Sequence, residues 1–270
     1  MPRLNSVADL DRYRGELLAA QDANKPCVAI CSDTGCQALR SDKVHQAFVD
    51  ELERNGLDGR VDIRRTGCHG FCERGTIVSI LPQDVTYLQV KPDDVAEIVA
   101  KTVLQSEVID RLLYEEGDGH GILHEDDIPF YKYQSPVVFG MNRFIDPRNI
   151  DSYIVLGGYA ALGKALSQMS PDQVLEEVKA ANLRGRGGGG FPAGVKWQTT
   201  KDAPGDIKYV VVNADEGDPG AYMDRSLLEG NPHRVLEGLI IGAYAIGAHD
   251  GFVYVRQEYP KAVENLLVAL

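Results

Sequence analysis

Two groups of residues in this 270-residue chain could do chemistry. The first is the run Asn182-Leu183-Arg184-Gly185-Arg186-Gly187-Gly188-Gly189-Gly190-Phe191-Pro192-Ala193-Gly194-Val195-Lys196-Trp197. A glycine costs roughly 1 kcal/mol in backbone freedom relative to alanine inside an ordered element. A fold keeps such a run where the backbone must pass close to something, or where its N–H groups converge on an anion. Arg184, Arg186 and Lys196 bracket it with positive charge on an otherwise acidic chain. An aromatic and a rigid residue, Phe191-Pro192, follow directly and suit the floor of a planar ligand site. The run reads as a phosphate cradle, the alternative being a floppy surface loop.

The second group is the cysteines. All five, Cys27, Cys31, Cys36, Cys68 and Cys72, lie in the first part of the chain, behind an N-terminus without a signal-peptide apolar region. An odd, clustered set without a secretion signal favours a metal or cluster site over a disulfide framework. Cys31 and Cys36 are separated by four residues and Cys68 and Cys72 by three. Four thiolates on two adjacent loops can converge on a metal centre, while Cys27 reads as a small buried hydrophobe. Structural zinc usually prefers two-residue gaps, which neither pair has. Gly35, Gly67 and Gly70 leave backbone N–H groups uncovered near the sulfurs, which suits a [2Fe–2S] cluster; structural zinc and a cluster-free thiol set are the alternatives. His69 reads as a neighbour that tunes potential or meets a partner rather than as a ligand.

These residues need a scaffold. The chain is long enough for one large domain or two ordinary ones. A net charge of -12 and a pI near 5.0 argue against a nucleic-acid surface and against attraction to anionic lipid. No apolar run approaches the ~20 residues needed to cross a bilayer, so the expected location is the cytoplasm. The pattern predicts a leading helix over 1–20, a strand at Cys27–Ile30, one helix from Gln37 to Asn55 with Val44, Phe48 and Leu52 on one face, and a strand at Val61–Ile63. A hairpin, Ile77–Ile80 with Tyr87–Val90, and a helix Val95–Val103 complete a small α/β domain over 1–105. The segment 106–135 reads as a connector, with a helix Val108–Tyr114 and with Phe130, Tyr131 and Tyr133 packed on its neighbours. A second unit over 136–270 should hold a helix opened by Ser170-Pro171-Asp172-Gln173, strands Lys208–Asn213 and Gly251–Val255, a helix Val235–Ile246, and a final helix from Lys261. The apolar face of that last helix, Ala262, Leu266, Leu267 and Leu270, lacks an evident partner, so the chain is expected to be truncated.

At this point a family resemblance emerges. Cys-x4-Cys, a long gap and Cys-x3-Cys on a small α/β domain resemble the thioredoxin-like [2Fe–2S] ferredoxins, including the 24-kDa-type subunit of respiratory complex I. The segment from Gly185 to Lys196, then Asn213-Ala214-Asp215-Glu216-Gly217-Asp218-Pro219-Gly220 and Tyr254-Val255-Arg256-Gln257-Glu258-Tyr259-Pro260, resemble the flavin- and NADH-binding 51-kDa-type subunit. Their fusion in this order is similar to the beta subunit of electron-bifurcating, NAD(P)-linked iron hydrogenases, and to diaphorase subunits of related formate dehydrogenases. The implied fold is α/β, a thioredoxin-like domain followed by an incomplete Rossmann-like FMN- and NADH-binding domain.

The resemblance implies metal ligands Cys31, Cys36, Cys68 and Cys72. It places Gly185, Arg186, Gly187 and Gly188 against FMN, Lys196 near its phosphate or ring edge, and Phe191 on the dinucleotide. Asn213, Asp215 and Glu216 would line the flavin and nicotinamide pocket, with Tyr254, Gln257 and Glu258 as a second wall, although the family pattern has glycine where Gln257 stands. Asp215 and Glu216 holding only a tight acidic turn, and Tyr254 as a core tyrosine, are the alternatives. The implied activity is NAD(P)H:acceptor oxidation through FMN and iron–sulfur centres, with no side-chain catalyst beyond a possible electrostatic role for Glu216. A non-catalytic electron-transfer or assembly module is the competing reading. Implied partners are other subunits of a multimeric redox complex: a hydrogenase-like or formate dehydrogenase-like catalytic subunit and a small [2Fe–2S] subunit. The relatives' later flavin-phosphate segment and their [4Fe–4S] cysteines have no counterpart here, so a [4Fe–4S] centre is expected only in a complete protein.

Overall fold

A computed structural model describes residues 3–117, 119–218 and 220–270. Asp118 of the connector and Pro219 of the acidic motif lie outside the described residues. The chain opens with α1 (Val7–Ala20), capped by the Ser6 hydroxyl, which accepts from the Asp9 N–H. There follow β1 (Cys27–Cys31), α2 (Thr34–Ala38), α3 (Ser41–Arg54), β2 (Asp62–Thr66), β3 (Val78–Leu81) and β4 (Val85–Tyr87). These four strands form one sheet in the order β2-β1-β3-β4. β1 and β2 are parallel, with Cys31 opposite Thr66, while β3 runs antiparallel to both neighbours. The helix α4 (Val95–Glu97) continues as a π-helix over Ile98–Val103. Val44, Phe48 and Leu52 of α3 are buried together with Val28, Ile30, Ile80, Tyr87 and Ile98, which makes the core of this layer.

The single helix expected from Gln37 to Asn55 is two helices. Arg40 takes a left-handed φ of 70° between them, so α2 ends at Ala38 and α3 starts afresh at Ser41. This break lets α2 carry Cys36 on its own short axis. The helix expected over Val108–Tyr114 does not form either. Its residues make a single 3-10 turn, Asp110–Leu112, and then the strand β5 (Tyr114–Glu115), paired with β6 (Gly121–Ile122). Tertiary packing wins here, since Ile109, Leu112 and Leu113 all enter the core beside Tyr87. In the connector, α5 (Pro129–Lys132) brings Phe130 flat against Phe71 at 4.3 Å and Tyr131 edge-on to both, whereas Tyr133 is 83% exposed.

The second unit begins with α6 (Ile150–Val155), α7 (Ala160–Gln168) and α8 (Pro171–Ala180). Ser170 caps α8 as the sequence predicts, and Gln173 returns its side chain to the Ser170 N–H at 2.7 Å, completing a capping box. Next come α9 (Ala193–Asp202), β7 (Tyr209–Ala214), α10 (Met223–Gly230), α11 (Pro232–Ile246), β8 (Asp250–Val255) and α12 (Pro260–Ala269). β7 and β8 pair in parallel, with Asn213 opposite Tyr254. The small-residue helix α11 packs on α9, α7, β7 and α12, and its Gly242 admits the Trp197 indole. α10 had no counterpart in the sequence reading. On α12, Ala262 and Leu266 are buried beside Leu236 and Tyr259, and only Leu267 and Leu270 of the expected face stay exposed.

α1 packs on the second unit rather than on the sheet. Tyr13 Oη donates to Asp151 at 3.0 Å, Arg14 donates to the carbonyls of Ile154 and Gly158, and Val7 rests against Gly163. At the other contact the two units meet backbone to backbone. A Cβ on Gly67 would stand 2.6 Å from Gly230 Cα, and one on Gly230 would stand 2.6 Å from Asn142 Nδ2. Gly67 also donates its N–H to the Asn142 carbonyl at 3.0 Å.

Gly230→Ala should therefore lower stability by about 1–3 kcal/mol, the usual cost of overpacking, measured as a fall in denaturation midpoint. A second expectation concerns His233, which is buried against Tyr153 and shares a 2.9 Å hydrogen bond with Tyr159 Oη. Burial lowers its pKa from 6.5. The unfolded chain thus binds the proton first, and stability should fall as pH drops below about 6.5. His233→Gln should flatten that part of a melting-temperature-versus-pH profile.

Candidate functional site

The cysteines come to one end of the sheet. Cys31 ends β1, Cys36 lies inside α2, Cys68 follows β2, and Cys72 opens a 3-10 turn to Arg74. The Sγ atoms of Cys31 and Cys36 are 3.1 Å apart, and both residues are buried against Ile77, Leu88 and Ile128. Cys68 and Cys72 form a second interacting pair, with Cys72 the exposed member. The pairs approach each other across two glycines. A Cβ on Gly35 would stand 3.2 Å from Cys72 Sγ, and one on Gly75 would stand 3.2 Å from Cys36 Sγ. Of the glycines singled out in the sequence, Gly35 does this work, Gly67 serves the contact with Gly230, and Gly70 lies against Phe130. Gly75 escaped notice because it lies beyond the second cysteine pair.

The thiols perturb one another. Cys31 is pushed up by its hydrogen bond with Cys36 and by burial. In the second pair the shared hydrogen bond raises Cys68 and lowers Cys72 to about 7. Cys27 is buried in β1 and raised by desolvation, as a small apolar residue would be. Beyond these five the chain has no cysteine, and among the described residues no group of three or more His, Cys, Asp or Glu gathers as a single-ion site.

The loop carrying Cys68 and Cys72 is pinned through His69. Its Nε2 is 2.9 Å from Thr66 Oγ1 and its Nδ1 is 2.9 Å from Glu125 Oε2, so both ring nitrogens are engaged. Burial opposes a charge on His69, but the Glu125 carboxylate outweighs it and raises the pKa. Arg143 closes the network on Asp126 at 2.7 Å and on Glu125 at 3.4 Å.

The glycine run forms an open lariat ahead of α9. Gly185 donates to the Phe191 carbonyl at 2.9 Å and Ala193 to that of Leu183 at 2.8 Å, closing its neck. Arg184 Nη1 reaches the Gly190 carbonyl at 3.1 Å. Gly188 and Gly190 have φ of 93° and 58°, which a side chain would strain. The N–H groups from Arg186 to Gly190 donate to no protein acceptor among the described residues, and a Cβ on any of Gly187–Gly190 would meet only open space. Phe191 is 58% exposed beside them, and Lys196 stands exposed in the first turn of α9. This donor set fits an anionic phosphate.

The remaining residues named from sequence lie at the carboxyl ends of the parallel strands, where open α/β sheets place ligands. Asn213 and Tyr254 are register partners, both exposed, and Asn213 Oδ1 accepts from the Asp215 N–H at 3.1 Å. Gln257 and Glu258 are exposed just beyond β8. Arg256, quoted in the motif but given no role, ties the strand ends together. Its Nε is 3.7 Å from Asp215 Oδ1, its Nη2 is 3.0 Å from Glu258 Oε1, and its Nη1 donates to the Glu216 carbonyl. Glu216 has a different duty from the others. Its carboxylate is buried and accepts the N–H groups of Met223 at 2.5 Å and Asp224 at 3.1 Å, capping α10. No hydrogen bond joins the lariat to the strand ends among the described residues, although α11 packs against α9, β7 and β8 alike.

Two known families match parts of the chain. Residues 16–103 match the thioredoxin-like [2Fe–2S] ferredoxin model, and residues 178–270 match the Nuo51 FMN-binding domain. The chain is therefore a fusion of an iron–sulfur ferredoxin domain with a flavin domain. It matches parts of hydrogenase and NADH-oxidoreductase subunits. It is 54% identical over 127 residues to the NADP-reducing hydrogenase subunit HndC of Solidesulfovibrio fructosivorans, covering 47% of this chain and 26% of that one. It is 48% identical over 125 residues to an NADH-quinone oxidoreductase subunit of Rhizobium meliloti, covering 46% and 30%. The longest of these matches is to the NAD-reducing hydrogenase HoxS subunit alpha of Cupriavidus necator, 33% identical over 235 residues, covering 85% and 36%. The chain thus spans about a third or less of those relatives' lengths. No helix among the described residues is long and apolar enough to cross a membrane.

Glu216→Ala should cost about 0.5–2 kcal/mol through loss of the α10 cap, read as a lowered denaturation midpoint even in protein stripped of flavin. Cys31→Ser or Cys72→Ser should remove most of the bound iron, measured by iron analysis of anaerobically purified protein, while Cys27→Ser should retain it.

Proposed function

We propose that this chain is the nicotinamide-oxidising and electron-relaying part of a diaphorase subunit in a multisubunit, hydrogenase-like redox complex in the cytoplasm. The observation that carries the reading is the direct seating of the cysteine loop on α10, the helix that starts from the capped end of the flavin-side acidic motif. The ferredoxin domain occupies 1–105, the connector 106–135, and the flavin domain 136–270, with α1 reaching across to the flavin side.

In this reading Cys31, Cys36, Cys68 and Cys72 would hold a [2Fe–2S] cluster, one close thiol pair for each iron. Two close thiol pairs separated by the Gly35 and Gly75 gap suit two irons better than one tetrahedral zinc. The uncommitted N–H groups from Arg186 to Gly190, with Lys196, take the FMN phosphate. Phe191 offers its face to a planar ring. Asn213, Asp215, Tyr254, Gln257 and Glu258 supply amide, carboxylate and hydroxyl partners for ribityl and ribose hydroxyls, and Arg256 fixes their spacing. Bound FMN would supply the exchange between the two-electron chemistry of NAD(P)H and the one-electron chemistry of the iron–sulfur centre. The protein's own residues bind, orient and screen. Glu216 stays outside the chemistry, as a buried helix cap.

Under anaerobic conditions, addition of NADH to the complete protein with FMN should bleach the flavin absorbance within the mixing time of ordinary stopped-flow experiments. Lys196→Gln should weaken FMN binding by about tenfold, the order expected for one lost hydrogen bond to a charged group. A tightly bound flavin that NADH does not bleach would leave a non-catalytic electron-transfer module in place of the diaphorase.

A further inference from the structure

The contact between the two units contains a group of buried charges that neither the cluster nor the flavin assignment uses. Glu229, at the end of α10, accepts the Thr34 N–H at 2.9 Å and the Thr34 hydroxyl at 2.6 Å. Lys261 of α12 donates its Nζ to the Ser32 carbonyl. Asp33, 2% exposed, accepts from the Gly35 N–H at 3.3 Å and has its other carboxylate oxygen buried without a partner. Between these carboxylates stands Arg225, one turn before Glu229. Its Nη2 is 3.9 Å from Asp33 Oδ1 and its Nε is 3.8 Å from Glu229 Oε1.

Those separations are too long for hydrogen bonds, and Arg225 Nε is buried with no acceptor at all. The guanidinium is held instead by stacking on Tyr222, 4.1 Å from the ring centre. Its charge is therefore placed but not spent on a fork-like ion pair. The point a Gly35 Cβ would occupy is 4.0 Å from Asp33 Oδ1 and 3.2 Å from Cys72 Sγ, so Asp33 lies beside the cysteine loop with Arg225 next to it, 3.9 Å from the same oxygen.

We propose that Arg225, a residue of the flavin side, is a positioning residue that sets the midpoint potential of the cluster held by Cys31, Cys36, Cys68 and Cys72. This deepens the function proposed above and rests on its [2Fe–2S] assignment. A cluster on four thiolates gains one negative charge when one electron arrives from the reduced flavin, with no proton or group passing through Arg225. A nearby cation favours that more negative state, and its burial keeps salt from screening the effect. The Asp33 and Glu229 carboxylates beside it act in the opposite sense. Because Arg225 lies on the helix that Glu216 caps, its position is fixed to the flavin wall, and the cluster acquires its full electron affinity only when the two units are docked.

The test is an EPR-monitored redox titration of the S = 1/2 cluster signal in the complete protein, with iron content measured alongside. Arg225→Gln should weaken the cluster's electron affinity by about tenfold, equivalent to about 59 mV downward for a one-electron couple. Arg225→Lys should lie nearer to the unaltered protein, and Asp33→Asn, which keeps a capping side chain, should move the midpoint upward. NADH-driven bleaching of the flavin should be unchanged in Arg225→Gln. An unmoved midpoint in Arg225→Gln at full iron content overturns the proposal, as does a shift in Arg225→Lys as large as that in Arg225→Gln. Should Arg225→Gln fail to retain iron, a midpoint in Asp33→Asn that does not rise overturns it. Absence of any S = 1/2 signal from the unaltered reduced protein removes the [2Fe–2S] assignment itself, a distinct failure.

Discussion

The structure depends on one buried carboxylate. Glu229 reaches from the flavin side into the loop between β1 and α2 and satisfies both the backbone and the side chain of Thr34. Burial raises its pKa, while the Thr34 hydrogen bonds oppose that cost. Asn265 donates to the Glu229 carbonyl at 2.8 Å, so α12 is tied to the same point. A charged group this far from water is tolerable only with its partners in place, and removing one side of such an arrangement typically costs about 3–5 kcal/mol. The docking of the two units is thereby a matter of particular atoms rather than of a broad apolar interface.

From that anchor the rest follows along α10. The helix has eight residues, so at 1.5 Å per residue its ends are about 12 Å apart. Glu216 fixes the first turn and Glu229 the last, and both act by accepting N–H groups that would otherwise be orphaned or misdirected. A short, doubly tethered helix has little freedom to tilt. The end of β7 and the cysteine loop are consequently held in a set relation, although they are far apart in sequence and belong to different units.

Much of this was legible from the residues. The Cys31/Cys36 and Cys68/Cys72 spacing, the Val44–Phe48–Leu52 stripe and the Ser170 N-cap are local patterns, and local patterns survive into the fold. The lariat was legible for the same reason, since consecutive glycines have few other uses. What escaped were contacts made across long sequence separations. Arg225, Glu229 and Gly230 sit in an ordinary amphipathic stretch whose partners, Asp33, Thr34 and Gly67, lie 192, 195 and 163 residues earlier. The split of α2 from α3 was hidden because apolar periodicity runs through it, and only the left-handed backbone of Arg40 reveals the break. Glu216 looked like a ligand residue because an acidic motif at a strand end resembles a pocket wall. Its burial beneath the first turn of α10 is a tertiary fact.

The facing glycines at 67 and 230 bear on how freely such modules can be exchanged. Each occupies the volume that a side chain on the other would need, so the two positions form a single unit of variation split between domains. A ferredoxin domain of the same fold, grafted here from another protein, would bring a suitable sheet and suitable cysteines and still fail to seat unless it also offered a bare backbone at this point. Recombination among redox proteins of this architecture is in that respect governed by a lock of absent atoms, invisible to any comparison that scores each domain alone.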